Sequence, residues 1–108
     1  MIDVLLLGVG PDGHVASLFP QHPSLEVGQE AGSTVIAVRD SPKPPPTRLS
    51  LTLPVITSAE EVWCVVDGEG KAEAVAECLA GPGRLPASLV SGTQRTLWLV
   101  DRAAASRR

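Results

Sequence analysis

Aromatic side chains are scarce in this 108-residue chain, which contains one phenylalanine, two tryptophans and no tyrosine. So few rings argue against the nucleic-acid modules that stack bases on aromatic side chains. An excess of basic charge is also missing, since the formal net charge is -3 at pH 7. The chain therefore lacks the basic surface with which proteins hold DNA or RNA, and we expect no nucleic-acid partner.

Cysteines and long apolar runs are equally rare. The two cysteines, Cys64 and Cys78, do not form a C-x-x-C pair. The apolar run VLLLGVG at residues 4–10 is too short for a membrane span, which needs about 20 residues. We therefore expect a cytoplasmic protein with no membrane partner and with reduced thiols that face the core. A disulfide between the two cysteines is an alternative that no feature of the sequence favours.

The chain is rich in apolar residues, glycine and proline. Hydrophobic residues make up 44%, which is too high for a disordered chain, and there are ten glycines and ten prolines. The glycines and prolines gather between apolar segments, which indicates built loops rather than diffuse flexibility. These clusters lie at residues 8–13, 42–46 and 81–83.

Apolar patterns predict alternating strands and helices. We expect strands at residues 3–8, 34–39, 48–53, 62–66 and 96–101 and helical segments at 14–19, 54–62, 71–80 and 86–90. This alternation predicts a single α/β domain over residues 1–108, with a mostly parallel open sheet flanked by helices.

Three of these segments carry more detailed expectations. The continuous apolar run at 3–8 predicts a strand buried on both faces. In the strand at 48–53 Leu49, Leu51 and Leu53 alternate and predict one buried face. The apolar stripe of the helix at 71–80 is expected to consist of Ala72, Val75, Ala76 and Leu79.

A glycine-rich turn, GVGPDGH at residues 8–14, directly follows the first strand. It matches G-x-G-x-x-G, the fingerprint of dinucleotide-binding folds, and Asp40 is a candidate ribose-binding acid. Two details oppose this interpretation. Pro20 stops the following helix early, and Asp40 lies 27 positions after Gly13 rather than about 20. A dinucleotide-binding module is therefore the second hypothesis.

The same turn could instead be catalytic. A histidine such as His14 can take a proton from water near neutral pH, and Asp12 could orient its imidazole. Free backbone N–H groups of the glycine turn could hold an anion or an oxyanion. The plain alternative is that Asp12 caps a helix and His14 is a first-turn residue.

A proline run, SPKPPPTR at residues 41–48, places two cations beside rigid backbone. Prolines favour a stiff, extended path, which would present Lys43 and Arg48 to an anionic ligand at low entropic cost. A solvated loop and a proline-rich ligand of an SH3-type domain are the alternatives.

Two other patterns fail as sites. Gly68 to Lys71 resembles a phosphate loop but lacks its first glycine and its Ser/Thr, so Lys71 is interpreted as an exposed helix start. His14 and His22 lack the spacing of metal ligands, so no zinc site is predicted.

Six segments that follow one another along the chain carry a resemblance to a known family: DVLLLGVG, GPDGHVASLFP, SPKPPPTRLSLTLP, VWCVVDGEGKAEAV, LPASLV and TLWLVD. In these segments the chain resembles the glucosamine-6-phosphate isomerase/6-phosphogluconolactonase family. The resemblance covers roughly residues 2–103. It implies a Rossmann-like fold and hydrolysis of 6-phospho-D-glucono-1,5-lactone to 6-phosphogluconate in the pentose phosphate pathway, without a metal or cofactor.

The resemblance also implies roles for individual residues. His14 would be the general base and Asp12 its support. Lys43 and Arg48 would contact the phosphate or sugar oxygens of the substrate, and the backbone of Gly10 and Gly13 would line the site.

The deaminating isomerases of the family typically continue the histidine motif with an acidic segment, whereas SLFP stands at residues 17–20 here. This difference favours the lactonase branch over a sugar-phosphate isomerase or deaminase.

Members of the family are about twice this long, by the usual size of domains, and carry a GG-[ST] phosphate loop in the N-terminal half. No such loop occurs here. We therefore expect the chain to correspond to the C-terminal half of a member. Its activity alone is expected to be weak or absent, and a sheet edge would be open to self-association.

Overall fold

The computed structural model describes residues 2–25 and 34–108 and contains a three-stranded parallel sheet with the order β1–β4–β5. A separate antiparallel ribbon is formed by β2 and β3. These elements confirm the predicted α/β class with a parallel sheet. Their bounds are β1 Val4–Gly8, β2 Val35–Val38, β3 Arg48–Leu51, α1 Leu53–Thr57, β4 Glu61–Val66, α2 Ala72–Leu79 and β5 Arg95–Val100, with 3₁₀ turns at Pro23–Leu25, Glu69–Lys71 and Pro86–Leu89.

Strand β1 is buried on one face only, so the prediction of two buried faces was wrong. Leu7 lies in the core with Cys64 of β4, and Val75 and Cys78 of α2 belong to the same cluster. Leu6, on the opposite face, is 62% exposed. Within the described residues, the core therefore covers a single side of the sheet. The exposed large hydrophobic residues of the other side, called the apolar sheet face below, are Val4, Leu6, Val65 and Leu99.

The predicted buried face of β3 holds only in part, because Leu51 and Leu53 pack partly buried against the core but Leu49 does not. Leu49 is 76% exposed, whereas Ser50 is buried. Ser50 lies opposite the buried Ile36 in the ribbon, and its hydroxyl accepts the backbone N–H of Ser17 at 3.0 Å. A buried hydroxyl is tolerated because this hydrogen bond satisfies it. The ribbon is thereby joined to the segment that follows the glycine turn.

Residues 14–19 form a turn instead of the predicted helix. Val15 and Leu18 make an isolated antiparallel bridge, and the Leu18 N–H donates to the Val15 carbonyl at 2.9 Å. Ala16 has a φ of 50°, which a right-handed helix does not permit. Val15, Leu18 and Phe19 are all buried at this turn, so tertiary packing overrides the weak local helical preference.

The two α-helices lie where they were predicted, with shorter bounds. Thr52 caps α1 through its hydroxyl, and Pro54 stands in the first turn, where a missing N–H costs little. The buried residues of α2 differ from the predicted stripe, because Ala74 and Cys78 are buried while Ala76 and Leu79 are only half-buried. Both cysteines are free and buried, as expected. Over residues 2–25 and 34–108, no helix combines the length and apolar character needed to cross a membrane.

Candidate active site

The glycine turn after β1 is closed by its own backbone. The Gly10 N–H donates to the His14 carbonyl and the Gly13 N–H donates to the Gly10 carbonyl, both at 2.9 Å. Gly13 has a φ of +86° and packs against Leu85, so this position suits a residue without a side chain. The amides that were expected to be free for an anion are thus used inside the turn. These two glycines shape the turn, and their N–H groups donate within it rather than to a ligand.

The turn holds His14 and Asp12 in direct contact. His14 Nδ1 lies 2.6 Å from Asp12 Oδ1, and the backbone N–H of His14 donates to the same oxygen at 3.1 Å. Burial opposes ionisation of the carboxyl, but the hydrogen bonds from His14 and the positive charges of His14 and Lys43 outweigh it and lower the pKa of Asp12. An ionised carboxylate only accepts, so Nδ1 carries a proton, and in the neutral form of the imidazole Nε2 keeps a lone pair.

Because of this arrangement, the contribution of Asp12 to the stability of the fold depends on pH in the acidic range. Because the pKa of Asp12 is lowered on folding, its ionised form contributes stability above its ordinary pKa of 3.8. That contribution is lost as the pH falls through the lower value of the folded state. We expect the difference in unfolding free energy between the wild type and Asp12→Asn, measured with urea from pH 7 downward, to shrink in this acidic range. A difference that grew on acidification would contradict the assigned direction.

Gly10 lets the imidazole lie against the backbone. A Cβ atom at this position would overlap Nδ1 and Cε1 of His14 and would come within 2.8 Å of Asp12 Oδ1. The missing side chain is therefore a steric requirement of the Asp12–His14 pair.

The proline loop, residues 41–48, folds back on itself instead of following the predicted extended path. The Ser41 N–H donates to the Pro46 carbonyl at 2.9 Å. Arg48 donates from Nε to the Pro45 carbonyl at 2.9 Å and from Nη2 to the carbonyls of Lys43 and Pro44 at 2.9 and 2.6 Å. A guanidinium has five N–H donors, and most of them here hold the loop. Lys43 is close enough to the Asp12–His14 pair for its charge to lower the pKa of Asp12.

The structure adds Lys71, whose place in the sequence predicted an exposed helix start. Its Nζ donates to the Val9 carbonyl of the glycine turn at 2.7 Å. The available signal was topological, because β1 and β4 are parallel neighbours whose carboxyl ends open to one edge of the sheet. Lys71 and His14 both line an open cleft of about 510 Å³, whose other lining residues are Gly8, Val9, Gly10, Pro11 and Ala16. Gly13, predicted to line the site, is not among them.

The dinucleotide hypothesis conflicts with this geometry. Its fingerprint requires a helix whose N-terminus faces the phosphates, and the residues after Gly13 form a turn. Asp40 follows β2, which belongs to the antiparallel ribbon and not to the parallel sheet. The elements of a βαβ nucleotide-binding unit are therefore not assembled around this turn.

Comparison with known proteins agrees with the fold and the motifs. A 6-phosphogluconolactonase of Streptomyces coelicolor is 60% identical over 106 residues, covering 96% of this chain and 40% of the relative. The human 6-phosphogluconolactonase is 49% identical over 108 residues, covering 97% and 41%. A solved 6-phosphogluconolactonase from Trypanosoma brucei superposes with a TM-score of 0.81 at 30% identity, covering 96% and 41%.

The chain spans about 40% of the length of the curated relatives that it matches. The sequence profile of the family described as "Glucosamine-6-phosphate isomerases/6-phosphogluconolactonase" matches residues 1–98. On the strength of this match and of the relatives, the chain belongs to the glucosamine-6-phosphate isomerase and 6-phosphogluconolactonase family.

Proposed function

We propose that this chain supplies the proton-transfer machinery for hydrolysis of 6-phospho-D-glucono-1,5-lactone to 6-phosphogluconate. The observation that carries the proposal is the Asp12–His14 pair, joined at 2.6 Å, whose His14 lines the same cleft as Lys71. A base and a cation on one open surface suit the attack of water on an ester of an anionic sugar. The high identity to relatives named 6-phosphogluconolactonase supports the same substrate.

In the proposed mechanism Nε2 of His14 takes a proton from water while the water oxygen forms a bond to the lactone carbonyl carbon. Asp12 stabilises the imidazolium that results. The tetrahedral intermediate then collapses, the bond from that carbon to the ring oxygen breaks, and the imidazolium returns the proton to the departing ring oxygen. The products are one carboxylic acid and one hydroxyl, so water is the only co-reactant.

The cations are assigned to the anionic groups of the substrate. Lys43 and Lys71 would act as point charges toward the phosphate or the developing oxyanion. Arg48 has less freedom to do so, because most of its donors bind the proline loop. A contact of Arg48 with the substrate would use Nη1, whose hydrogen bond to the Ser17 hydroxyl is long at 3.5 Å.

We further propose that the chain works together with polypeptide equivalent to the remaining length of its relatives. The apolar sheet face supports this, because Leu6 and its neighbours resemble a buried layer that nothing covers in the described residues. Without that cover, we propose that the chain self-associates and hydrolyses the lactone weakly or not at all. The free, buried thiols of Cys64 and Cys78 suit a reducing cytoplasm, where we place the protein.

Self-association can be tested on the apolar sheet face itself. Leu6→Asp puts a charge on this face and is expected to shift the chain toward monomer in concentration-dependent sedimentation, because it opposes burial of the face. Leu49→Asp is the matched control, since Leu49 is also a largely exposed leucine in a strand but lies on the ribbon. Equal effects of both variants, or a wild type that stays monomeric at high concentration, would contradict the assignment.

The proposed function is tested with the 108-residue chain and with a chimera. In the chimera residues 1–108 replace the matching segment of the Streptomyces coelicolor relative. We expect the chimera to hydrolyse the lactone and the chain alone to be far slower, with no turnover of glucosamine-6-phosphate and no binding of NAD or NADP. A folded chimera without lactonase activity would overturn the proposal, and full activity of the chain alone would overturn the need for further polypeptide.

A further inference from the structure

The only phenylalanine of the chain, Phe19, lies between the glycine turn and the proline loop and is completely buried. Its ring centroid is 4.7 Å from that of the His14 imidazole, with 34° between the two planes. The guanidinium carbon of Arg48 lies 5.4 Å from the same centroid. The Phe19 N–H donates to the buried Ser24 hydroxyl at 3.1 Å, which fixes the backbone that carries the ring.

Each of these two neighbours is hydrogen-bonded to a different residue of the candidate site. His14 is the partner of Asp12 at 2.6 Å. Arg48 donates to the Lys43 carbonyl at 2.9 Å and so holds the backbone of the residue whose charge acts on Asp12. One buried ring therefore touches both the imidazole and the side chain that shapes the proline loop.

We propose that Phe19 is a positioning residue that fixes the orientation of His14 relative to Lys43. The face of an aromatic ring is electron-rich and attracts cations, and Arg48 is permanently charged. The His14 imidazole becomes a cation when it takes the proton from water, so the ring also favours the protonated intermediate of the proposed reaction. A leucine at position 19 would fill much of the same volume but would offer neither the flat face nor this attraction. The inference rests on the proposed function for what His14 and Lys43 do in the reaction.

The first test uses the 108-residue chain and needs no activity. In Phe19→Leu the ring current disappears, so the NMR signals of the His14 ring protons and of Arg48 Hε are expected to move toward their unfolded positions. Hydrogen exchange of the Ser41 amide, which closes the proline loop, is expected to become roughly tenfold faster. The control Leu18→Met changes an equally buried neighbour and is expected to leave these signals and this exchange rate in place.

The second test is kinetic and uses the chimera. Phe19→Leu is expected to lower kcat by roughly 10–10²-fold, because a small displacement of a catalytic group is costly, and to raise KM through the loosened Lys43. Phe19→Tyr keeps the ring and is expected to restore most of kcat, whereas Leu18→Met leaves both constants near the wild type. If the wild-type chimera hydrolyses no lactone, the proposed function fails, and the NMR outcome alone decides whether Phe19 positions His14 and Arg48.

A folded Phe19→Leu chain with unchanged His14, Arg48 and Ser41 signals would overturn the inference, as would an effect on stability with kcat unchanged. If Phe19→Leu does not fold, the inference can still be tested by NMR on the wild-type chain. Nuclear Overhauser contacts from the Phe19 ring to both His14 and Arg48 are expected, and their absence would overturn the inference.

Discussion

Replacement of His14 by alanine is expected to lower kcat for lactone hydrolysis in the chimera by roughly 10²–10⁴-fold, the contribution typical of a general base. The expectation rests on the 2.6 Å contact of Nδ1 with Asp12, which leaves Nε2 free to accept the proton of water. KM is expected to change much less, because binding of the anionic substrate is assigned to Lys43 and Lys71. The measurement is steady-state hydrolysis of the lactone, corrected for its spontaneous rate.

Asp12→Asn and Asp67→Asn provide the matched comparison for this result. Asn at position 12 can donate to Nδ1 and so stabilise the wrong tautomer of His14, which is expected to reduce kcat strongly. Asp67 is an exposed residue after β4, and its substitution by asparagine is expected to leave kcat near the wild-type value. An unchanged kcat in a folded His14→Ala chimera would remove His14 from the mechanism.

Gly10→Ala is expected to reduce kcat by on the order of 10²-fold, although it adds only one methyl group. The new Cβ would overlap the His14 imidazole and approach the Asp12 carboxylate, so the imidazole must leave its position. The loss is expected in kcat more than in KM, and the NMR signals of the His14 ring are expected to move at the same time.

Gly83→Ala is the control for the added methyl group. A Cβ at Gly83 meets no atom within 4 Å, so this variant is expected to keep the activity and the His14 signals of the wild type. If Gly10→Ala retained full activity with displaced His14 signals, the observed orientation of the imidazole would not be the reactive one.

The positions of the strands along the chain could be predicted from the sequence because long apolar and β-branched runs carry a strong local signal. Which face of each strand is buried could not be predicted in the same way. Alternation in β3 predicted that Leu49 is buried, but the ribbon pairs Ser50 with Ile36 and the Ser17 N–H satisfies its hydroxyl. A period-two pattern identifies two faces, and only the neighbouring elements decide which face is covered.

Some contacts of the candidate site could likewise be predicted from the sequence, and others could not. Asp12 and His14 are two residues apart, and their contact across a glycine turn could be anticipated from that spacing. Lys71 lies far from His14 along the chain, so its place on the cleft depends on the parallel pairing of β1 and β4. Arg48 holds the proline loop because the loop bends back within reach of its donors. Its contact with a ligand stays a prediction.

The α/β class, the glycine turn with its Asp12–His14 pair and the family resemblance can all be inferred from the sequence, since each depends on residues close together along the chain. Three further features required the folded chain: which sheet face is covered, the place of Lys71 on the cleft, and the contacts of Phe19 with both His14 and Arg48. These features depend on packing between distant segments, because burial, ring contacts and hydrogen bonds form only when the segments meet.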